Sequence, residues 1–318
     1  MATDYLTEEM LTGLAALSVH RYRFNLTVRP GATLLTQPHS GSALRGTLLR
    51  RLPEGVFGSD LTTTPQASAA RGEELPHPYA IEPPVDGRSS YQPRETFSFG
   101  ITLFGQANRL LPDMVQAVNN FDYHFGLTGA DGRRGGLSLR EVVAEQPLTS
   151  RQQVVWSADH RPASPFEGEA RGLHFADVLN SVPAEAGEVW LLFRTPLTLK
   201  ARGEVVRSGP PLEVLMQRLL ERVGGLVEVL TEARLRLPFA ELTAVARAAT
   251  VAAATQWLDL ERYSSTHERK HSIGGLVGLV TYRGELGPLL AWLTFGQWLH
   301  VGKAAVQGNG SYRVVAVD

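Results

Sequence analysis

Three groups of residues in this sequence have types and spacings that could do chemistry. Near the C-terminus, Gly302 and Lys303 are followed by Gly308, Asn309 and Gly310. Glycine adopts positive φ freely, and outward-pointing N–H groups in such loops can hold an anion, so the run predicts a polyanion seat with Lys303 as its cation. A nucleotide-hydrolysing P-loop is disfavoured, because Ala304 stands where a Ser or Thr must hold Mg²⁺ and the spacing from Gly296 is one residue too long. His300 just before the loop reads either as a proton carrier or as a satisfied helix-end histidine.

The second group, His267-Glu268-Arg269-Lys270-His271, matches the zinc-protease pattern H-E-x-x-H. That motif needs a helix to put both histidines on one face. Ser264, Ser265 and Thr266 before it and Ser272, Ile273, Gly274 and Gly275 after it do not prolong a helix, and two cations beside a supposed Zn²⁺ are unfavourable. The segment therefore reads as a basic turn whose Arg269 and Lys270 meet either solvent or phosphate, and no metal site is assigned. The third group is His39, at the mouth of the first predicted helix, with Arg45, Arg50 and Arg51 on that helix. Histidine can take or give a proton near neutrality; a loop anchor is the alternative role for His39. Arg133 and Arg134 sit in a further glycine-rich run, 126–136, and arginines beside glycine turns predict a phosphate track.

The elements that must position these groups fall into two similar halves. Residues 21–28 alternate as a strand, 42–52 have helical spacing with Ser40 or Ser42 as N-cap, and a strand is predicted near 79–82. A strand at 97–104, a helix at 110–121 with Pro112 in its first turn, and a strand at 137–144 complete the order β-α-β-β-α-β, the ferredoxin-like unit. The second half repeats it: strands at 189–199 and 204–206, helices at 211–223 and 239–260, a strand at 276–282, a helix at 286–298 and a strand at 312–317. The fold class is thus α+β with tandem ferredoxin-like domains, expected at 1–156 and 188–318 with a linker over 157–187, and with the glycine loop facing the cleft between them.

Composition bounds the function. A chain of 318 residues with 43% hydrophobic and 20% charged residues can bury two ordinary cores. It has no cysteine, so disulfides and thiolate metal sites are excluded, and the acidic start MATDYLTEEM lacks the basic region of a signal peptide. No apolar run approaches membrane-spanning length, which predicts a cytoplasmic protein that does not engage a membrane. Net charge is −1, and the only lysines are Lys200, Lys270 and Lys303, so 28 of the 31 Lys+Arg residues are arginines. Genomic base composition accounts for such a bias, which leaves phosphate binding to be argued from local clusters.

The segment GGLVGLVTYRGELGPLLAWLTFGQWLHVGKAAVQGNGSY, from Gly274 to Tyr312, resembles the C-terminal region of the CRISPR repeat-processing endoribonucleases of the repeat-associated (RAMP) superfamily. The shared pattern is a G-G-L-V-G strand, a helix ending L-H-V-G-K and a terminal G-x-G. Residues 40–49 (SGSALRGTLL) are similar to the family's first helix, and 97–107 (FSFGITLFGQA) to its central N-terminal strand, with shorter similarities at 191–200 and 261–265. The resemblance implies tandem ferredoxin-like domains, binding of CRISPR repeat RNA, and cleavage by 2′-OH attack without metal or cofactor. Catalysis would rest on His39, Arg45, Lys303 and His300, and RNA binding on Arg50, Arg51, Arg133, Arg134, Arg269, Lys270, Gly302, Gly308 and Gly310. Family members pair such a histidine with a tyrosine and a lysine; residues 31–52 contain neither, so Arg45 or Arg50 would supply the charge. The alternative is a non-catalytic RNA-binding subunit that partners other subunits of a CRISPR effector complex.

Overall fold

The computed structural model describes residues 5–36, 39–52, 75–121, 136–159, 171–264 and 269–318. These form two compact units, one lying within 18–64 and 77–173, the other taking residues up to Leu17, residues 75–76 and 174–318. The first helix, α1 (Glu8–Ala15), is capped by Thr7, whose hydroxyl accepts from the Met10 N–H, and it packs with elements of the second unit.

The first unit contains β1 (Val19–Val28), α2 (Gly41–Leu49), β2 (Tyr79–Glu82), β3 (Thr96–Phe104), α3 (Leu111–Asn119), β4 (Leu137–Glu145) and β5 (Gln152–Ser157). Along β1, buried Tyr22, Phe24, Leu26 and Val28 alternate with half-exposed Arg21, Arg23, Asn25 and Thr27, as a strand with one face on the core must. The sheet order is β2-β3-β1-β4-β5 with every pairing antiparallel, the ferredoxin-like order plus one edge strand. Phe24 stacks on Phe99 at 5.4 Å and Phe99 on Phe121 at 6.4 Å, building an aromatic core beneath α3. Pro112 falls in the first turn of α3, where its missing N–H costs nothing. Ser40 is the N-cap of α2 but makes no side-chain capping bond.

The second unit repeats the plan with α4 (Phe175–Leu179), β6 (Glu188–Leu197), the small ribbon β7 (Lys200–Ala201) and β8 (Glu204–Val205), α5 (Leu212–Thr231), α6 (Phe239–Ala248), β9 (Thr250–Leu258), the hairpin β10 (Glu261–Ser264) and β11 (Arg269–Ser272), β12 (Gly275–Arg283), α7 (Gly287–Gly296) and β13 (Tyr312–Val317). Its sheet runs β9-β12-β6-β13, again antiparallel throughout. Helix α7 is buried along nearly its whole length, with Trp292 and Phe295 packed on Phe175 of α4 at 4.5 and 5.6 Å. Among the described residues no helix is long and apolar enough to cross a membrane.

One sequence expectation is corrected here. The stretch 239–260 is not one helix: α6 ends at Ala248 and TVAAATQWL forms the edge strand β9, paired with β12 from Thr250↔Arg283 to Leu258↔Gly275. Alanine favours helix by only about 0.5 kcal/mol per residue over β-branched neighbours, and nine paired ladder positions outweigh that preference. Gly278 permits the pairing to close, since a Cβ there would stand 2.4 Å from the Ala254 carbonyl oxygen.

The loop before β13 is the tightest point of the second unit. Gly310 has φ 69°, and a Cβ on it would lie 1.7 Å from the Val301 carbonyl oxygen. Gly31, with φ 79° and nothing within 4 Å of its absent Cβ, isolates the conformational cost. Gly31→Ala is expected to cost about 1 kcal/mol and Gly310→Ala at least about 3 kcal/mol in denaturant unfolding. Equal losses would show that the close crossing at Gly310 is not what fixes this loop.

Candidate functional site

His39 lies just before the Ser40 N-cap of α2 with φ 63°, an uncommon conformation for a non-glycine residue. Its ring is half-buried, and its Nδ1 is enclosed with no hydrogen-bond partner among the described residues. Burial disfavours the charged ring and pulls its pKa below the ordinary histidine value. His39 is therefore a neutral imidazole at physiological pH, the form that can accept a proton.

About one turn into α2, Arg45 meets the start of β2. The Arg45 Nε donates to the Tyr79 hydroxyl at 2.9 Å, and its Nη2 lies 3.4 Å from His77 Nε2. The His77 and Tyr79 rings are 5.8 Å apart. Tyr79 is fully buried, and desolvation raises its pKa more than the neighbouring guanidinium lowers it. No sequence pattern marked Tyr79 or His77: both fall more than thirty positions beyond Arg45, and only the return of β2 brings them to it. Arg50 is exposed at the C-cap of α2, and Arg51 is half-buried. Arg133 and Arg134 lie outside the described residues.

In the second unit the glycine loop is knit into the fold. The Val301 N–H donates to Gly310 O, Lys303 N–H to Thr198 O, Gly308 N–H to Ala305 O, Asn309 N–H to Ala304 O and Gly310 N–H to Pro196 O. Thr195 Oγ1 donates to Gly308 O and accepts from the Ser311 N–H. These N–H groups are thus spent on protein acceptors, which corrects the expectation of an open anion nest: φ of 85°, 93° and 69° at Gly302, Gly308 and Gly310 serves chain crossing. A Cβ at Gly302 would approach the Thr198 carbonyl oxygen to 2.6 Å. His300 is 1% exposed at φ 60°, four residues beyond the end of α7.

Lys303 is exposed, with Nζ 3.5 Å from the Ser272 carbonyl at the foot of the β10–β11 hairpin. The Asn309 amide donates to Ile273 O and Thr198 Oγ1 to Gly274 O, so loop, hairpin and the end of β6 are tied together. Lys200 on β7, Lys270 on β11 and Lys303 consequently sit on three segments that meet at one end of the second sheet. His267 and Glu268 lie outside the described residues; Arg269, Lys270 and His271 occupy strand β11, paired with Ser264, Tyr263 and Arg262, where the H-E-x-x-H pattern would need helix.

Comparison with protein families matches residues 191–312 to the CRISPR-associated endoribonuclease Cas6. Residues 17–167 match a family model described as an N-terminal domain. The chain is similar to a solved chain of a partial Cas6-RT-Cas1–Cas2 complex, at 14% identity and TM-score 0.61, over 96% of this chain and 47% of that one. It is also similar to Thermus thermophilus Cas6 (14% identity, TM-score 0.54, 94% of this chain and 99% of that one) and to a Cas6 product complex (13%, 0.53, 94% and 99%). The chain spans about half the length of the first of these relatives. No curated protein sequence matches it. At such identities the structural likeness is one of fold, two ferredoxin-like units in tandem, and the residues matched to the Cas6 model fall in the second unit.

A depressed histidine pKa has a consequence for stability. Between pH 6.5 and the folded-state value, the unfolded chain binds the His39 proton and the folded chain does not, so this group's contribution is present above pH 6.5 and is lost as pH falls through that window. The His39 ring is expected to titrate below 6.5 by NMR, and His39→Gln to lose less stability than the parent on acidification from pH 7. A midpoint at or above 6.5 would remove burial as the control on this ring.

Proposed function

We propose that this chain, which is related to the CRISPR repeat-processing endoribonucleases of the RAMP superfamily, binds a CRISPR repeat RNA and cuts it without metal. The observation that carries the reading is the Cas6 family match over 191–312, the unit in which all three lysine-bearing segments converge. Three basic segments at one end of a sheet suit an RNA backbone, which is held through phosphate charge rather than base edges.

Cleavage proceeds by attack of a ribose 2′-oxygen on the adjacent phosphorus. The 2′-O–H proton passes to a base, the P–O5′ bond breaks, and the 5′-oxygen takes a proton, leaving a 2′,3′-cyclic phosphate and a 5′-hydroxyl. His39, kept neutral by burial, is the proton acceptor, or in its protonated form the donor to the leaving oxygen. Arg45 stabilises charge on the phosphorane, and Lys303 with Arg269 and Lys270 holds the RNA backbone. The glycine loop contributes rigidity to Lys303 in place of the direct N–H contacts expected from sequence.

Incubation with repeat RNA in EDTA, followed by end-group analysis, tests the reading. Cleavage to the stated ends is expected, with His39→Ala slower by about 10²–10⁴-fold at nearly unchanged RNA affinity. A 2′-deoxy residue 5′ to the cut should abolish cleavage. Lys303→Ala should weaken binding and lower the salt slope of log K by about one. Binding without cleavage would assign the chain as a non-catalytic RNA-binding subunit, and activity that EDTA abolishes would overturn the metal-free mechanism.

A further inference from the structure

Arginines on the central strand of the first unit are compensated. Arg21 lies between Glu82 and Glu145, at 2.6 and 3.4 Å, and Arg23 is 3.1 Å from Glu145. Arg45 differs. Its half-buried guanidinium meets only neutral partners, the Tyr79 hydroxyl and the His77 ring, and no carboxylate among the described residues. Placing a cation partly out of water without a counter-charge costs free energy, and evolution of a fold ordinarily removes such a cost by pairing the charge or exposing it.

The two contacts occupy two of the five guanidinium N–H groups, one on Nε and one on Nη2, and leave the Nη1 pair and the second Nη2 hydrogen without an acceptor among the described residues. Those three hydrogens lie in one plane, the fork geometry that receives two oxygens of a phosphate or carboxylate. Tyr79 fixes the Nε side from a fully buried position on β2, and its hydroxyl stays un-ionised, so the guanidinium charge is not cancelled.

We infer that Arg45, Tyr79 and His77 form a preorganised station for a single phosphate, in which Arg45 binds the anion while Tyr79 and His77 act as positioning residues that hold the fork toward solvent. Resting on the RNA-cleavage reading above, the occupant is the scissile or an adjacent phosphodiester of the bound RNA. Tyr79 and His77 then take up the orienting task that no tyrosine or lysine on the first loop or α2 can perform.

Two measurements separate this inference from the reading it rests on. With a non-cleavable 2′-deoxy repeat RNA, Arg45→Gln is expected to weaken binding about tenfold and to lower the salt slope of log K by about one. Tyr79→Phe, which removes only an oxygen, should slow cleavage of all-ribose RNA several-fold through kcat while the melting temperature stays within a few degrees; His77→Gln, which keeps a side-chain acceptor, should retain more activity than His77→Ala. If the RNA slope and rate are unchanged in Arg45→Gln and Tyr79→Phe while the parent binds and cuts RNA, the station is wrong and the RNA reading stands. Independently of RNA, inorganic phosphate should raise the melting temperature of the parent and not of Arg45→Gln. Phosphate protection of the parent with no RNA binding would keep the station and overturn the RNA reading; absence of phosphate protection together with an unchanged RNA slope would overturn the station.

Discussion

The second unit depends on one backbone crossing. At Gly310 the chain passes so near Val301 that no side chain can be accommodated, and the Gly310 N–H reaches Pro196 at the end of β6 while its carbonyl accepts from Val301. That crossing joins the end of β6, the exit of α7 and the entry to β13. Thr195 reinforces it by bonding Gly308 and Ser311 with one hydroxyl, and Arg222 on α5 donates from Nε to the Leu299 carbonyl. Desolvation holds the Arg222 pKa down to about 10, still above physiological pH, so the cation that seals the exit of α7 remains charged. Once these strands and helices are locked, the position of Lys303 is set by backbone rather than by its flexible stem.

The same rigidity explains why a loop that looks like an anion nest is not one. A nest requires successive N–H groups aimed at an external ligand. Here the positive φ angles turn those groups toward Thr198, Ala304, Ala305 and Pro196, because the chain must cross itself to insert β13 beside β6. What the loop offers to a ligand is a fixed platform, together with the hairpin that Asn309 and Lys303 tie to it.

In the first unit, the described arginines on β1 are paired with carboxylates, whereas the contacts that Arg45 makes to Tyr79 and His77, where α2 meets β2, are neutral. Arg21 is paired with Glu145 on the neighbouring β4 and with Glu82 on β2, one strand beyond β3, and Arg23 with Glu145, so these pairs stitch the sheet across strands. Arg45 is held by a phenol and an imidazole, which orient it without cancelling it, and His39 at the other end of the same short helix is kept uncharged by burial. One nine-residue helix thus carries an oriented cation and follows a neutral base, the two kinds of group that phosphodiester transfer uses. On the proposed reading, a chain of net charge −1 serves a polyanion because local placement, not the sum, sets the field a ligand meets.

The sequence by itself determined the strands whose apolar residues alternate. The alternation along 21–28 was legible, Tyr79–Glu82 and Tyr312–Val317 form strands over the expected residues, and the doubled β-α-β-β-α-β order followed from such local signals. It also disclosed His39, Arg45 and Lys303 as groups able to handle protons and phosphate. Tertiary structure decided the rest. The alanine-rich Thr250–Leu258 became a strand because β12 offered it a ladder, which no local preference encodes. The loop N–H groups were consumed partly by the loop's own carbonyls at Ala304, Ala305 and Gly310 and partly by those of Pro196 and Thr198, about a hundred residues away in sequence. Tyr79 and His77 joined Arg45 only through the return of β2 beside α2, since a side chain's partner is fixed by which distant backbone the fold brings near, and that information is carried by packing and hydrogen bonding across the whole unit.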